Sequence, residues 1–456
     1  MHIWLTDNNG NNPKRLREIQ CEDREAVLKE LHKIADVNIL ELKKNSNLLV
    51  FSNKDKIEDT HVFSIVNNGE DSEIVTGNIA GFVGINDVQI SIQSRFSEQV
   101  DNGDENQERN DYFLHYMLSK VFNINLLDFK HGEEKGSVFD FLVFLFPSFL
   151  NRALKKGIVR TYVRNEYNDS NIKGPLNVSR FLKEDIPFIG RVAYDKREYS
   201  ADNSLTELVR HTIEYIRSGN YSSIVRDGDV ASDVRKIIEV TPSYDRSVRE
   251  SVINRNLRPI RHPYYSEWTD LQRICLMILR HNKLNYAESK DKIYGIVFDV
   301  AWLWEEYLNT LLRPLGYTHP RNKTGEGKIF LFENETGETG TRYPDFYNEY
   351  CVLDAKYKRF EYKGNVSSID RDDLHQMITY MYVLKKHPEN GVFLFPVKNE
   401  TFSHVKPLKL NGYGGWIKAE GHLIPQGTHS FKEFSKQMEE NAEDFSKRIR
   451  ALNDQL

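Results

Sequence analysis

The sequence predicts an α+β chain of several domains. A small, mostly-β N-terminal domain covers residues 1–100, a mixed helical middle domain with a basic strand covers 111–262, and a C-terminal α/β core covers 266–456. Period-2 and β-branched runs dominate before residue 97, helical periodicity takes over after 111, and beyond 266 helices alternate with apolar strands. At 456 residues the chain has ample length for two or three cores. Ser97 to Asn110, polar and carrying Glu98, Asp101, Asp104, Glu105 and Glu108, reads as the linker between the first two parts.

Composition narrows the function classes. With 39% hydrophobic and 28% charged residues the chain has the make-up of an ordinary soluble protein, and a formal net charge of −5 rules out a global basic signature for nucleic acid. Any surface for DNA has to be local. Cys21, Cys275 and Cys351 are far apart and form no Cys-x-x-Cys pair, so neither a disulfide framework nor a zinc site is expected, which suits a reducing cytoplasm. The first residues lack the basic segment and apolar run of a signal peptide, and the most apolar stretch, 138–150, is interrupted by Asp140 and Pro147. No membrane association is expected.

In the N-terminal domain, strands are expected at 38–42, 47–52, 61–66 and 88–93, with one helix from Glu25 to Ile34. Gly77, Gly81 and Gly84 indicate bulges or close backbone approaches there, and no lysine and helix follow them as a phosphate loop requires. The middle domain opens with a helical stripe of Tyr112, Met117, Leu118, Val121 and Phe122, followed by a buried helix over 138–154. A strand from Gly157 and a phrase from Ile172 to Leu182 then bring Arg160, Arg164, Lys173 and Arg180 among Tyr162, Tyr167 and Phe181. Such residues contact a phosphate backbone or reach a partner, and a solvated strand face explains them equally well. Asp202 or Asn203 caps the helix Ser204 to Arg217. Arg255, Arg258, Arg261 and His262 form a basic cluster interrupted by Pro259 and Pro263, in either a phosphate-facing loop or a linker.

The helix from Trp268, with Leu271, Ile274, Cys275, Ile278 and Leu279 on one face, is expected to begin the C-terminal domain. A second helix, 298–312, carries Val300, Leu303, Trp304, Tyr307, Leu308 and Leu311 on its apolar stripe and Glu305 and Glu306 in its middle. Gly325 to Lys328 superficially looks like the end of a nucleotide loop, but Ile329 follows the lysine where Ser or Thr is required, so no nucleotide-binding motif is present. A hairpin then runs from Arg342 to Arg359, with strands at Phe346-Tyr347 and 350–355 around an Asn348-Glu349 turn. Beyond it come a helix over 373–384, with Leu374, Met377, Ile378 and Met381 inward, a buried strand 391–396, a strand-and-turn tail and a charged amphipathic helix 431–452.

The hairpin carries the chemistry. Asp354 and Lys356, two apart on a strand, point to one side, and the turn brings Asp345 alongside them. Two adjacent carboxylates repel unless a cation sits between them, and an all-oxygen site suits Mg²⁺, with Mn²⁺ as a substitute. A lysine beside such a cation serves the attacking water or the charge that builds on a phosphate. Asp-x-Lys also arises in ordinary strands and Pro-Asp in ordinary turns.

Leu303 to Leu308, Pro344-Asp345, Leu353 to Lys358, and Leu374 to Met377 with Tyr380 together resemble the McrC family, within the PD-(D/E)xK nuclease superfamily. The stretches 77–84 with 90–95, and 172–208, are similar to the family's N-terminal and middle patterns. The resemblance implies a PD-(D/E)xK core in the C-terminal domain and a metal-dependent DNA endonuclease. Asp345, Asp354 and Glu305, the last matching the family acid in register, would hold the metal, a Leu353 or Ala355 carbonyl would complete its shell, Lys356 would act beside it, and Gln376 and Tyr380 would support the site. It also implies double-stranded, modified DNA as substrate and a McrB-like AAA+ GTPase hexamer as partner, its GTPase stimulated by the N-terminal part of this chain. The alternatives are a stand-alone defence or repair nuclease, and a non-catalytic adaptor that stimulates a motor. Intact Asp345, Asp354, Lys356 and Glu305 speak against the adaptor.

Overall fold

The N-terminal strands do not close a sheet among themselves. In a computed structural model of the chain, His2–Thr6, Val88–Gln93, Ile79–Ile85, Tyr294–Asp299 and Leu48–Phe51 lie in that order in one five-stranded sheet, so its fourth strand arrives from far along the chain. Tyr294–Asp299 runs antiparallel to Ile79–Ile85 and parallel to Leu48–Phe51. The structure describes the chain apart from residues 43–47, 53–60, 100–108, 123–136, 285–292, 321–324, 359–368, 385–389, 400–405 and 453–456 and positions 20, 22, 36, 68, 70, 87, 220, 227, 229, 261, 336, 412 and 413.

The chain divides into two compact units, one of Met1–Ser137 with Lys290–Leu456, the other Val138–Ser289. This division differs from the expected three domains, because the N-terminal and C-terminal segments share a sheet and a continuous core. The expected mixture of helix and strand is borne out.

In the first unit, Ile3, Leu5, Leu31, Ile34, Val83, Ile90 and Val297 are buried together. The helix Arg24–Ala35 contributes its Val27, Leu31, Ile34 face to that core, as its spacing requires. The strand expected at 38–42 is instead a short helix, Ile39–Leu42. Ile39 and Leu42 are both buried, a spacing of three that a helical turn satisfies and a strand would split between faces. Gly81 approaches the neighbouring strand so closely that an added Cβ would sit 2.2 Å from the Ile296 carbonyl oxygen, at a φ of +133°. Only glycine tolerates both, which accounts for the close approach expected there. The expected 97–110 linker lies largely outside the described residues, and its ends, Glu98–Gln99 and Arg109–Asn110, pair antiparallel.

The second large sheet has the order Phe346–Tyr347, Cys351–Ala355, Asn390–Val397, Trp416–Leu423, Leu408–Lys409, parallel in the middle and antiparallel at both edges. One cluster packs Met377, Tyr380 and Met381 of the helix Arg371–Val383 with Val352, Phe393, Phe395 and Ile417. Elsewhere in the core, the Tyr307 hydroxyl of the helix Val300–Leu312 lies 2.9 Å from His422 Nε2, and the His422 ring stacks on Phe445 of Phe431–Ala451 at 5.0 Å. Ile378, expected inward, is 39% exposed, and Tyr380 is buried in its place. A polar phenol at a helix position reads as a surface residue unless its hydroxyl has a partner, which here it has.

The second unit holds the hairpin Thr161–Asp169 with Val192–Ser200 and a set of helices. Asn203, not Asp202, caps Ser204–Arg217, accepting hydrogen bonds from the Leu205 and Thr206 amides. The helix Ser266–Leu284 belongs to this unit rather than opening the next one. Its Trp268 indole donates to the Gly157 carbonyl at 2.9 Å, and its Gln272 amide spans the Asn256 carbonyl and the Ile260 amide. A buried polar residue on an otherwise apolar face marks this tie, which periodicity alone does not reveal.

His211 of the second unit is fully buried, and neither ring nitrogen makes a hydrogen bond. Burial, reinforced by the positive charge of Arg249, lowers its pKa to about 4. The unfolded chain therefore takes up a proton from about pH 6.5 downward that the folded chain refuses until about pH 4. Stability present above that window falls as the pH drops through it, by up to about 3 kcal/mol. Urea unfolding at pH 7 and pH 4.5 should show this loss in the wild type and a smaller one in His211→Phe. Among the described residues, no helix is long and apolar enough to cross a membrane.

Candidate active site

The site is built where the hairpin meets the helix after it. Asn348 makes the turn, its side-chain oxygen accepting from the amides of Tyr350 and Cys351. Phe346 then pairs with Leu353, and Asp345, just before the strand, accepts the Ala355 amide on Oδ2 at 2.8 Å. That bond holds Asp345 beside the end of Cys351–Ala355. The Lys356 amide donates to the Leu394 carbonyl at 2.9 Å and extends the parallel pairing by one residue.

Asp354 is 3% exposed. Lys356 Nζ lies 2.7 Å from its Oδ2 but off the direction of a hydrogen bond, so this buried oxygen is held mainly by charge. Burial, then the negative charge of Asp345, pushes the Asp354 carboxyl up to about 7 against the pull of Lys356. Burial of the Lys356 ammonium works the other way, but the charges of Asp354 and Asp345 overcome it and raise its pKa. A buried carboxylate with an undirected contact and a second carboxylate nearby is a poor neighbour for itself and a good one for a cation.

Sequence reasoning missed two members of this site. Asp373, on the helix Arg371–Val383, places Oδ1 3.1 Å from Lys356 Nζ and Oδ2 3.0 Å from Lys358 Nζ. It sits in an acidic run that reads as a helix start, and the cap is in fact Asp370. His319 stacks on Phe346 at 4.8 Å, and its Nδ1 lies 2.8 Å from the Asp345 carbonyl oxygen. The same ring is 3.8 Å from Glu305 Oε1 and 3.8 Å from Glu306 Oε1, so it joins the acid-bearing helix to the hairpin. Burial disfavours its protonation, but the hydrogen bond to Glu306 and the Asp345 carbonyl outweigh it and the pKa is raised. No motif announces this histidine in the sequence.

The expected residues thus fall into groups. Asp345, Asp354 and Lys356 come together, Glu305 reaches the Asp345 side through His319, and Gln376 donates to the Tyr380 hydroxyl at 2.8 Å on the neighbouring helix. Among the described residues, no three acidic, His or Cys side chains already stand as a cation cage. Mg²⁺ keeps several waters and needs only one or two carboxylates, so Asp345 and Asp354 fit it.

The basic candidates belong to the second unit, where several are already paired. Arg164 bonds Asp195, Arg180 bonds Glu184 at 3.0 Å and meets Glu166 at 3.4 Å, and Arg255 meets Glu207 at 3.3 Å. Arg160, Lys173 and Arg258 are exposed, and Arg261 lies outside the described residues. The ion pairs favour the solvated-face reading for Arg164, Arg180 and Arg255.

A family model described as the McrBC 5-methylcytosine restriction system component matches residues 74–396. No curated protein matches the chain. Among solved structures, a half-complex from a tetradecameric assembly of Thermococcus gammatolerans McrB AAA+ hexamers with bound McrC is similar, at 16% identity and a TM-score of 0.48, covering 96% of this chain and 100% of that one. A cryo-electron-microscopy structure of the Thermococcus gammatolerans McrBC complex is similar at 16% identity and a TM-score of 0.35, covering 69% of this chain and 87% of that one.

Proposed function

The chain belongs to the McrBC 5-methylcytosine restriction system component family, and from that membership we propose that it is the McrC-type nuclease subunit, a Mg²⁺-dependent DNA endonuclease. The observation that carries the reading is the grouping of Asp345, Asp354 and Lys356 at the end of one buried strand, with the buried Asp354 Oδ2 meeting Lys356 Nζ at 2.7 Å.

Asp345 and Asp354 would hold the cation, and Glu305 would bind it or its water from the helix. When bound, the cation activates a water and neutralises charge on the phosphate. Asp345 is anchored by the Ala355 amide and the Asp354 backbone is held in the parallel strand, so both carboxylates project from an edge of set backbone geometry. Lys356 presents its ammonium to the charge that grows on the scissile phosphate. Gln376 and Tyr380 brace the helix beside it.

The sequence has no nucleotide loop of its own, which agrees with a separate McrB-like AAA+ GTPase supplying the motor. This chain stimulates that GTPase, and modified double-stranded DNA is the substrate. The test is cleavage of methylated and unmethylated plasmid by the purified chain in Mg²⁺, with and without the AAA+ partner and GTP. Cutting only with partner and GTP is the expected result. Cutting by the chain alone would make it a stand-alone nuclease, and GTPase stimulation without cutting would make it an adaptor.

A further inference from the structure

Lys356 is shared between two carboxylates from different elements. Its ammonium is 2.7 Å from Asp354 Oδ2, on its own strand, and 3.1 Å from Asp373 Oδ1, on the helix Arg371–Val383. All three side chains are well covered, at 14%, 4% and 13% exposure for Lys356, Asp354 and Asp373. The remaining oxygen of Asp373 faces Lys358, whose side chain is 53% exposed.

This sharing matters when a divalent cation engages Asp354. The cation and the ammonium then compete for one carboxylate and repel each other. A lysine released from its only anchor regains the freedom of a long stem and moves off toward water. Asp373 is a second anchor that the hairpin does not supply. We infer that Asp373 is a positioning residue that keeps Lys356 at the reacting edge after the cation has taken Asp354, an inference that rests on the metal-dependent nuclease reading above.

The test compares the full chain with Asp373→Asn and Asp373→Glu, in two readouts. The first is acetylation of Lys356 followed by mass spectrometry, with and without saturating Mn²⁺. In the wild type Lys356 stays protected when the cation is added, whereas in Asp373→Asn the cation raises its labelling severalfold. The second is cleavage with the AAA+ partner and GTP. Asp373→Asn lowers kcat by about 10–100-fold, leaves KM for DNA and the Mg²⁺ requirement within about twofold, and is largely rescued by Asp373→Glu. Equal labelling of Lys356 in wild type and Asp373→Asn, with cleavage unchanged, would overturn the role of Asp373 and leave the nuclease reading standing. A wild type that binds no Mn²⁺ and cuts no DNA would overturn both.

Discussion

Replacing Asp354 by alanine is expected to reduce cleavage by at least about 10³-fold, the scale of losing several kcal/mol of charge stabilisation at a phosphate. The fold should survive. The carboxylate is buried and its pKa is pushed up to about 7 by that burial and by Asp345, so its charged form is a burden on the folded chain in the absence of a cation. Lys356 keeps Asp373 as a partner when Asp354 is removed. Thermal unfolding of the variant without metal should therefore stay close to the wild type, while the stabilisation by added Mg²⁺ expected of the wild type should be absent from the variant. Loss of cutting together with loss of folding would instead make Asp354 a structural residue.

The second large effect lies in the same compact unit, behind the residue that follows Lys356. Arg95 follows the strand Val88–Gln93, and Asp7 follows His2–Thr6. Their side chains are 5% and 0% exposed, and Asp7 Oδ1 accepts both the Arg95 amide at 2.7 Å and Arg95 Nε at 3.2 Å. Burial raises the Asp7 pKa, and the Arg95 charge is the main force opposing it. Arg95 also donates to the Tyr357 carbonyl at 3.4 Å and lies 4.5 Å from the Tyr357 ring centre, next in the chain to Lys356. Arg95→Ala leaves Asp7 as an uncompensated buried charge and should destabilise the unit by about 3–5 kcal/mol in urea unfolding. Combining it with Asp7→Asn should recover a large part of that loss, since the orphan is then neutral. Because Tyr357 is one of the groups released, cleavage should fall in Arg95→Ala even under conditions where the variant remains folded.

These two sites show what was legible in the sequence and what was not. The hairpin could be read because its signals are local: a turn residue at 348, a largely apolar run along 350–355, and charges two apart. The helices 300–312 and 431–451 could be read because 3.6-residue spacing is likewise local. Asp373 and His319 could not, since their roles depend on side chains brought together from separate elements, and each has an ordinary explanation in its own neighbourhood. The strand Tyr294–Asp299 shows the same limit on a larger scale. Its partners, Ile79–Ile85 and Leu48–Phe51, lie far back in the chain, and nothing in a six-residue apolar run names them. That one pairing joins segments that composition and periodicity assign to different domains. Arg95 closes the 90–95 stretch that is similar to the family's N-terminal pattern, and its burial against Asp7 and Tyr357 gives that position a physical reason.

The central claim is that Asp345 and Asp354 form a divalent-cation site, and direct binding of Mn²⁺ to the purified chain, followed by electron paramagnetic resonance, tests it without requiring a partner or a cleavable substrate. A saturable signal displaced by Mg²⁺, retained in Glu306→Gln and lost in both Asp345→Ala and Asp354→Ala, is the predicted result. Binding that is undiminished in the two aspartate variants, or absent from the wild type even with DNA present, would contradict the account.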